Sequence, residues 1–168
     1  MLKLQLKIWL ACLLLSANLF AESKNSYTFG EMNFSAKIVQ DSILVLIKAP
    51  TKGWLAVGLN SENSIVGSDL KMFRVVSGKV EFEDQFTTGF GIHPQDSELG
   101  GTSNVKIISG SENEKFTEIL FQIPMVSKDK FDFKIEPNKK FWLILAYSTE
   151  DDFQHHSIMR KHKEIEIR

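Results

Sequence analysis

The chain has 168 residues, one cysteine, four histidines and a formal net charge of −1, with 43% hydrophobic and 24% charged residues. That balance excludes a broad basic footprint for nucleic acid or for an anionic membrane surface. A single cysteine excludes an internal disulfide, a multi-thiolate metal site and the two-cysteine attachment of covalent haem.

Residues 1–21 read as a secretory signal. Lys3 and Lys7 precede the apolar run Ile8 to Leu15, and small or polar residues lead to Ala21. The run is far shorter than the roughly 20 residues of a bilayer span. Cys12 lies inside this run rather than behind it, which argues against a lipid-bearing cysteine. Cleavage would remove the only cysteine and leave residues 22–168, enough for one domain held by packing alone. The expected location is periplasmic or extracellular, in a bacterial envelope, with no transmembrane segment after cleavage.

Strand-length apolar runs follow in order: "FSAKIVQ" (34–40), "SILVLIKA" (42–49), "GWLAVGLN" (53–60), "DLKMFRVV" (69–76) and "KVEFEDQF" (79–86). Further on come "NVKIIS" (104–109), "FTEILFQI" (116–123), "FWLILAYS" (141–148) and "KEIEI" (163–167). Gln40-Asp41-Ser42, Ser77-Gly78-Lys79 and Pro137-Asn138-Lys139 supply turn chemistry between them. "SILVLIKA" and "FWLILAYS" are apolar on both faces, as inner strands should be, while "KVEFEDQF" and "KEIEI" alternate. No stretch sustains a capped helical period. About nine strands and no long helix predict an all-β antiparallel sandwich of immunoglobulin-like type, with a closed barrel as the second choice.

Trp54 reads as a core aromatic, and Gly58 as a point of close approach by a backbone or ligand. Asp69, Asp84 and Asp96 read as carboxylates that fasten loops, with paired acid–base chemistry as the sharper alternative.

At "GWLAVGLNSENSIVGSDLKMF" (53–73) a Gly-Trp strand, a polar loop and a Gly-x-Asp opening the next strand resemble the DOMON domain family. This is the module named for its occurrence in dopamine β-monooxygenase. The resemblance continues through "VEFEDQF", "PQDSELGGTSNV", "FTEILFQIPM", "KDKFDFKI" and "FWLILAYSTEDDFQHHSIMR", covering residues from about 50 onward. It implies a sandwich that binds haem or sugar. In haem-binding members a Met and a His hold b-type haem non-covalently. The His follows the penultimate strand, where His156 is the best match and His155 its neighbour; in extended chain only one of the two would face a pocket. Arg160, with Lys161 and Lys163, would pair with haem propionates.

The departure is at the methionine, whose position is occupied by Ile65. Met72, further along the same strand, is the substitute candidate, with Met32 and Met125 elsewhere; a second His, His93 or His155, would instead give a bis-His site. His93, beside Pro94, also reads simply as a loop residue.

The functional expectation is an exported module that binds haem b, with His156 as the iron ligand. It would act in electron transfer or small-ligand sensing with a separate redox partner protein. Alternatives are a carbohydrate-binding module, with Phe90 or Phe153 as sugar platforms, and an interaction domain whose pocket has lost haem. No Gly-x-Ser-x-Gly, His-Glu-x-x-His or phosphate loop occurs, so the chain does not read as an enzyme.

Overall fold

A computed structural model describes residues 24–168, and the expected signal segment 1–21 with Cys12 lies outside them. The strands are β1 (Asn25–Phe29), β2 (Met32–Val39), β3 (Ser42–Ala49), β4 (Leu55–Asn60) and β5 (Asp69–Val76). They continue with β6 (Lys79–Phe86), β7 (Lys106–Glu112), β8 (Thr117–Pro124), β9 (Lys140–Tyr147) and β10 (Met159–Glu166). Two five-stranded sheets form, in the orders β1-β2-β3-β8-β7 and β10-β9-β4-β5-β6. All pairings are antiparallel. The sandwich is therefore as expected, and the barrel is not formed.

Three turns close as their residues dictate. Gln40, Ser77 and Asn138 have positive φ angles of 57°, 52° and 63°, each inside a turn singled out above. At the β5–β6 hairpin Gly78 shares positive φ with Ser77, and a two-residue loop of this kind follows the twist of its strands.

The inward residues alternate along each strand. Phe34, Ile43, Val45, Ile47, Ile119 and Phe121 meet Leu55, Val57, Phe73, Leu143 and Leu145 from the facing sheet. Phe73 and Phe121 join the two layers with ring centroids 4.5 Å apart. Each such buried side chain contributes roughly 1.5–3 kcal/mol of burial free energy.

A strand not anticipated from the sequence, β1, pairs with β2 at the sheet edge. Its Asn25 ties the chain end down, donating from Nδ2 to the Arg168 carbonyl at 2.9 Å and accepting the Arg168 amide at 2.9 Å.

Candidate functional site

The outer face of the β10-β9-β4-β5-β6 sheet carries a second buried apolar group: Trp54, Ala56, Leu70, Met72, Ala146 and Phe153. Strand register explains it. Ala56 lies opposite Met72 on β5 and Ala146 on β9, and Ala146 lies opposite Arg160 on β10. The adjacent row reads Leu70, Gly58, Ile144, His162. Ala56 and Ala146 in the first row and Gly58 in the second leave the floor low. Gly58 keeps this row close-packed, since a Cβ there would stand a tight 3.1 Å from that of Ile144. Sequence position 58 therefore does provide a close approach, with Ile144 as the neighbour.

Two loops rise beside this floor and enclose a cavity of about 160 Å³. One joins β9 to β10 and bears His155 and His156; the other follows β6 and bears His93. Both are tied at several points. In the first, the Trp54 amide donates to the Glu150 carbonyl at 3.1 Å and the Ser148 amide to the Trp54 carbonyl at 3.0 Å. Arg74 reaches over from β5, donating to the Asp151 carbonyl at 2.9 Å with its guanidinium 4.6 Å from the Phe153 ring centre. Ser148 Oγ donates to the His156 carbonyl at 3.1 Å.

The glycine of the Gly-Trp pair now has a physical cause. A Cβ at Gly53 would lie 2.5 Å from the Glu150 amide nitrogen and 2.6 Å from the Ser148 carbonyl oxygen. Backbone cannot yield as a side-chain tip can. Gly53→Ala is expected to lower stability by about 1–3 kcal/mol, measured as a shift in the urea midpoint, and to displace the histidine loop. An unchanged midpoint would show that the two backbones are not locked together.

The structure brings His155, His156, Arg160, Met72, Ile65 and His93 to one cavity. Both adjacent histidines line it, and both are exposed. The expected alternation fails because the segment is a turn rather than extended chain, with the His155 amide donating to Asp152 at 2.9 Å. Met72 is 3% exposed in the floor. Met32 and Met125 pack in or against the inter-sheet core instead.

Lys161 and Lys163 do not join Arg160. Alternation along β10 turns them to the other face. There Lys161 lies against Gly30, and the Lys163 ammonium stands 5.6 Å from the Tyr27 ring centre. His162, tied to Asn63 Oδ1 at 3.0 Å, is held below its ordinary pKa by burial and by Arg160. As sugar platforms, Phe153 is 6% exposed and Phe90 86%. Only Phe90 offers a free ring face.

Trp54 is buried as expected and is among the residues lining the cavity, and its buried indole Nε1–H has no acceptor. A buried donor of this kind is costly unless a ligand or water completes it.

On the inward side of β5 and β6 lies a feature the sequence reading missed. Lys71, with a side chain 2% exposed, meets Asp69, Asp84 at 2.7 Å and Asp132 at 3.3 Å. These three aspartates are the one cluster of metal-capable side chains among the described residues, and the lysine ammonium already sits among them. Asp69 Oδ2 accepts the Phe133 amide at 2.9 Å and Asp84 Oδ2 the Asn104 amide at 3.3 Å, so both fasten loops as predicted.

Asp96 departs from that expectation. It is 1% exposed and neither carboxylate oxygen has a partner. Burial pushes its pKa up to about 7, with Asp84 adding repulsion and Lys71 opposing it. Burial likewise raises Asp69 to about 6 against the pull of Lys71. The signal that could have found the cluster is Lys71 itself, a charge at an inward position between Asp69 and Phe73.

A family model described as DOMON domain matches residues 28–148. Among solved structures, the chain is similar to the cytochrome domain of Myriococcum thermophilum cellobiose dehydrogenase. The TM-score is 0.62 at 11% identity, over 88% of this chain and 79% of that one. It is also similar to the cytochrome b domain of pyranose dehydrogenase from Coprinopsis cinerea. There the TM-score is 0.65 at 11% identity, over 84% of this chain and 80% of that one.

Proposed function

The chain belongs to the DOMON domain family, and from that premise we propose that it is an exported module that binds b-type haem and passes electrons to a separate partner protein. The observation that carries this reading is the outer-face cavity, where imidazoles from two different loops stand over a floor of small and apolar side chains. The two cytochrome domains that share the fold support it.

The residues present fit the group. Neutral imidazole is a good iron ligand, and His155 and His156 supply two at the cavity wall. The floor of Ala56, Ala146, Leu70 and Met72 offers the apolar contact a macrocycle needs. Arg160 at the rim is placed to pair with a carboxylate, and the unpaired Trp54 indole is a further donor. The cavity is smaller than the roughly 300–1,000 Å³ of a whole small-molecule site. A haem would therefore extend beyond this cavity.

Haem supplies a one-electron couple when bound. In this chain His156 would ligate the iron, the two loops would keep water from the bound group, and Arg160 would hold a carboxylate.

Titrating the protein with haemin should give a Soret band that saturates at one haem per chain. His156→Ala should abolish it or weaken binding by at least about 10-fold, with His155→Ala as the comparison. A protein that stays colourless through reconstitution would overturn the haem reading.

A further inference from the structure

We propose that His93 supplies the second axial nitrogen, taking the place of the methionine that Ile65 has displaced, and that Gln85 and Glu83 set its tautomer. The inference rests on the haem reading above and names the ligand on the side of the cavity where Ile65 stands.

The hydrogen bonds assign the proton. Gln85 is 1% exposed, and its Nε2 donates to Glu83 Oε2 at 2.5 Å. That fixes which end of the amide is oxygen, so Gln85 Oε1 is the atom that faces His93 Nδ1 at 2.7 Å. A carbonyl oxygen can only accept, and Nδ1 must carry the proton. Nε2 is then left with its lone pair, which is the form that binds iron. A metal-ligating histidine commonly donates its other nitrogen to such an oxygen, which orients the ring and strengthens the ligand.

The backbone places the ring on the correct side. The segment after β6 is stitched to the β4–β5 loop. The Gly67 amide donates to the Thr87 carbonyl at 2.7 Å, and the Thr87 amide to the Ser68 carbonyl at 3.0 Å. Ser68 in turn bonds to the Ile65 carbonyl through its amide and its hydroxyl. Ile65 and His93 therefore line one cavity from two joined loops. The Phe86 amide donates to the Pro94 carbonyl at 3.1 Å, which secures the residue after His93. His155 and His156 come from the β9–β10 side, and β6 and β10 are opposite edges of the same sheet. Met72 is the rival ligand, but it is packed in the floor beside Ala56.

The test uses the haem-loaded protein and its spectra. Wild type should be low-spin in the ferric state, with no sulfur-to-iron charge-transfer band. His93→Ala should keep the Soret band yet become high-spin, bind carbon monoxide when reduced, and return to low-spin on adding free imidazole. His93→Met should raise the reduction potential, because Met/His ligation favours the ferrous state. Gln85→Leu should remain low-spin but shift the potential, which a purely structural role would not do. A His93→Ala protein that stays low-spin overturns the assignment, and Met72→Leu and His155→Ala then identify the ligand. A wild-type protein that takes up no haem overturns both this inference and the reading beneath it.

Discussion

Lys71→Met is expected to lower the unfolding free energy by about 3–5 kcal/mol, read as a fall in the urea midpoint near neutral pH. Methionine matches the length of the lysine stem and fills the same space, so packing is not the cause. Among the described residues the ammonium is the only cation set among Asp69, Asp84 and Asp132. Its removal strands their charges out of water, where a lone carboxylate is far more costly than a paired one. The aspartates hold Lys71 above its ordinary pKa against the opposing effect of burial, so the group stays charged throughout the neutral range.

Adding Asp69→Asn, Asp84→Asn and Asp132→Asn to Lys71→Met should restore much of the loss, because a neutral cluster needs no counter-ion. A single-variant loss below about 1 kcal/mol would mean that water already solvates these carboxylates, as it does for surface pairs. The effect reaches the cavity by a short path. Lys71 points inward on β5, while its neighbours Leu70 and Met72 form the cavity floor on the other face.

The layer architecture was legible because it depends on period-two alternation and turn chemistry, both local. "SILVLIKA" matches β3, "KVEFEDQF" matches β6, and the three turns fall where Gln40, Ser77 and Asn138 stand. β1 escaped notice because "NSYTF" is mostly polar and owes its place to pairing with β2. "NVKIIS" located β7 but began two residues early and stopped three short. A bulge between Ile107 and Ser109 breaks the alternation there, and the strand runs on through polar Ser111 and Glu112.

The site was only partly legible, for a physical reason. His156 and Arg160 could be singled out from a motif that resembles a family. Their meeting with Met72 required the register of four strands, because Met72, Ala56, Ala146 and Arg160 form one row across β5, β4, β9 and β10. Lys161 and Lys163 looked equivalent to Arg160 by charge, yet strand alternation sends them to the other face. His93 carried two readings in the sequence, a second ligand or an ordinary loop residue, and the Gln85 contact that favours the first is visible only in the structure. Pairwise geometry of this sort leaves no trace in spacing along a chain.

Asp96→Asn is expected to stabilise the protein by roughly 2–4 kcal/mol near pH 8 and to have little effect near pH 4.5. The sign follows from proton counts. Asp96 and Asp69 are raised to about 7 and about 6 in the folded state, while unfolded aspartate titrates near its ordinary value. Between about pH 4 and pH 7 the folded chain thus binds more protons than the unfolded one, and stability falls as pH rises. What these groups contribute is fully present below the unfolded pKa and is lost as pH passes through the folded one. Asparagine keeps the shape of the protonated side chain and cannot ionise, so the variant avoids the loss.

His162 pulls in the opposite direction. Its lowered pKa makes the folded state resist protonation, which costs stability as pH falls below its ordinary value. The raw stability profile therefore mixes two trends. The difference between wild type and Asp96→Asn at each pH cancels the histidine and isolates the carboxylate. That difference should grow through the span between the unfolded and folded pKa of Asp96 and level off above it. A difference that stays constant from pH 4.5 to pH 8 would exclude ionisation of Asp96 as its source, and the unpartnered oxygens would then have to be solvated by water.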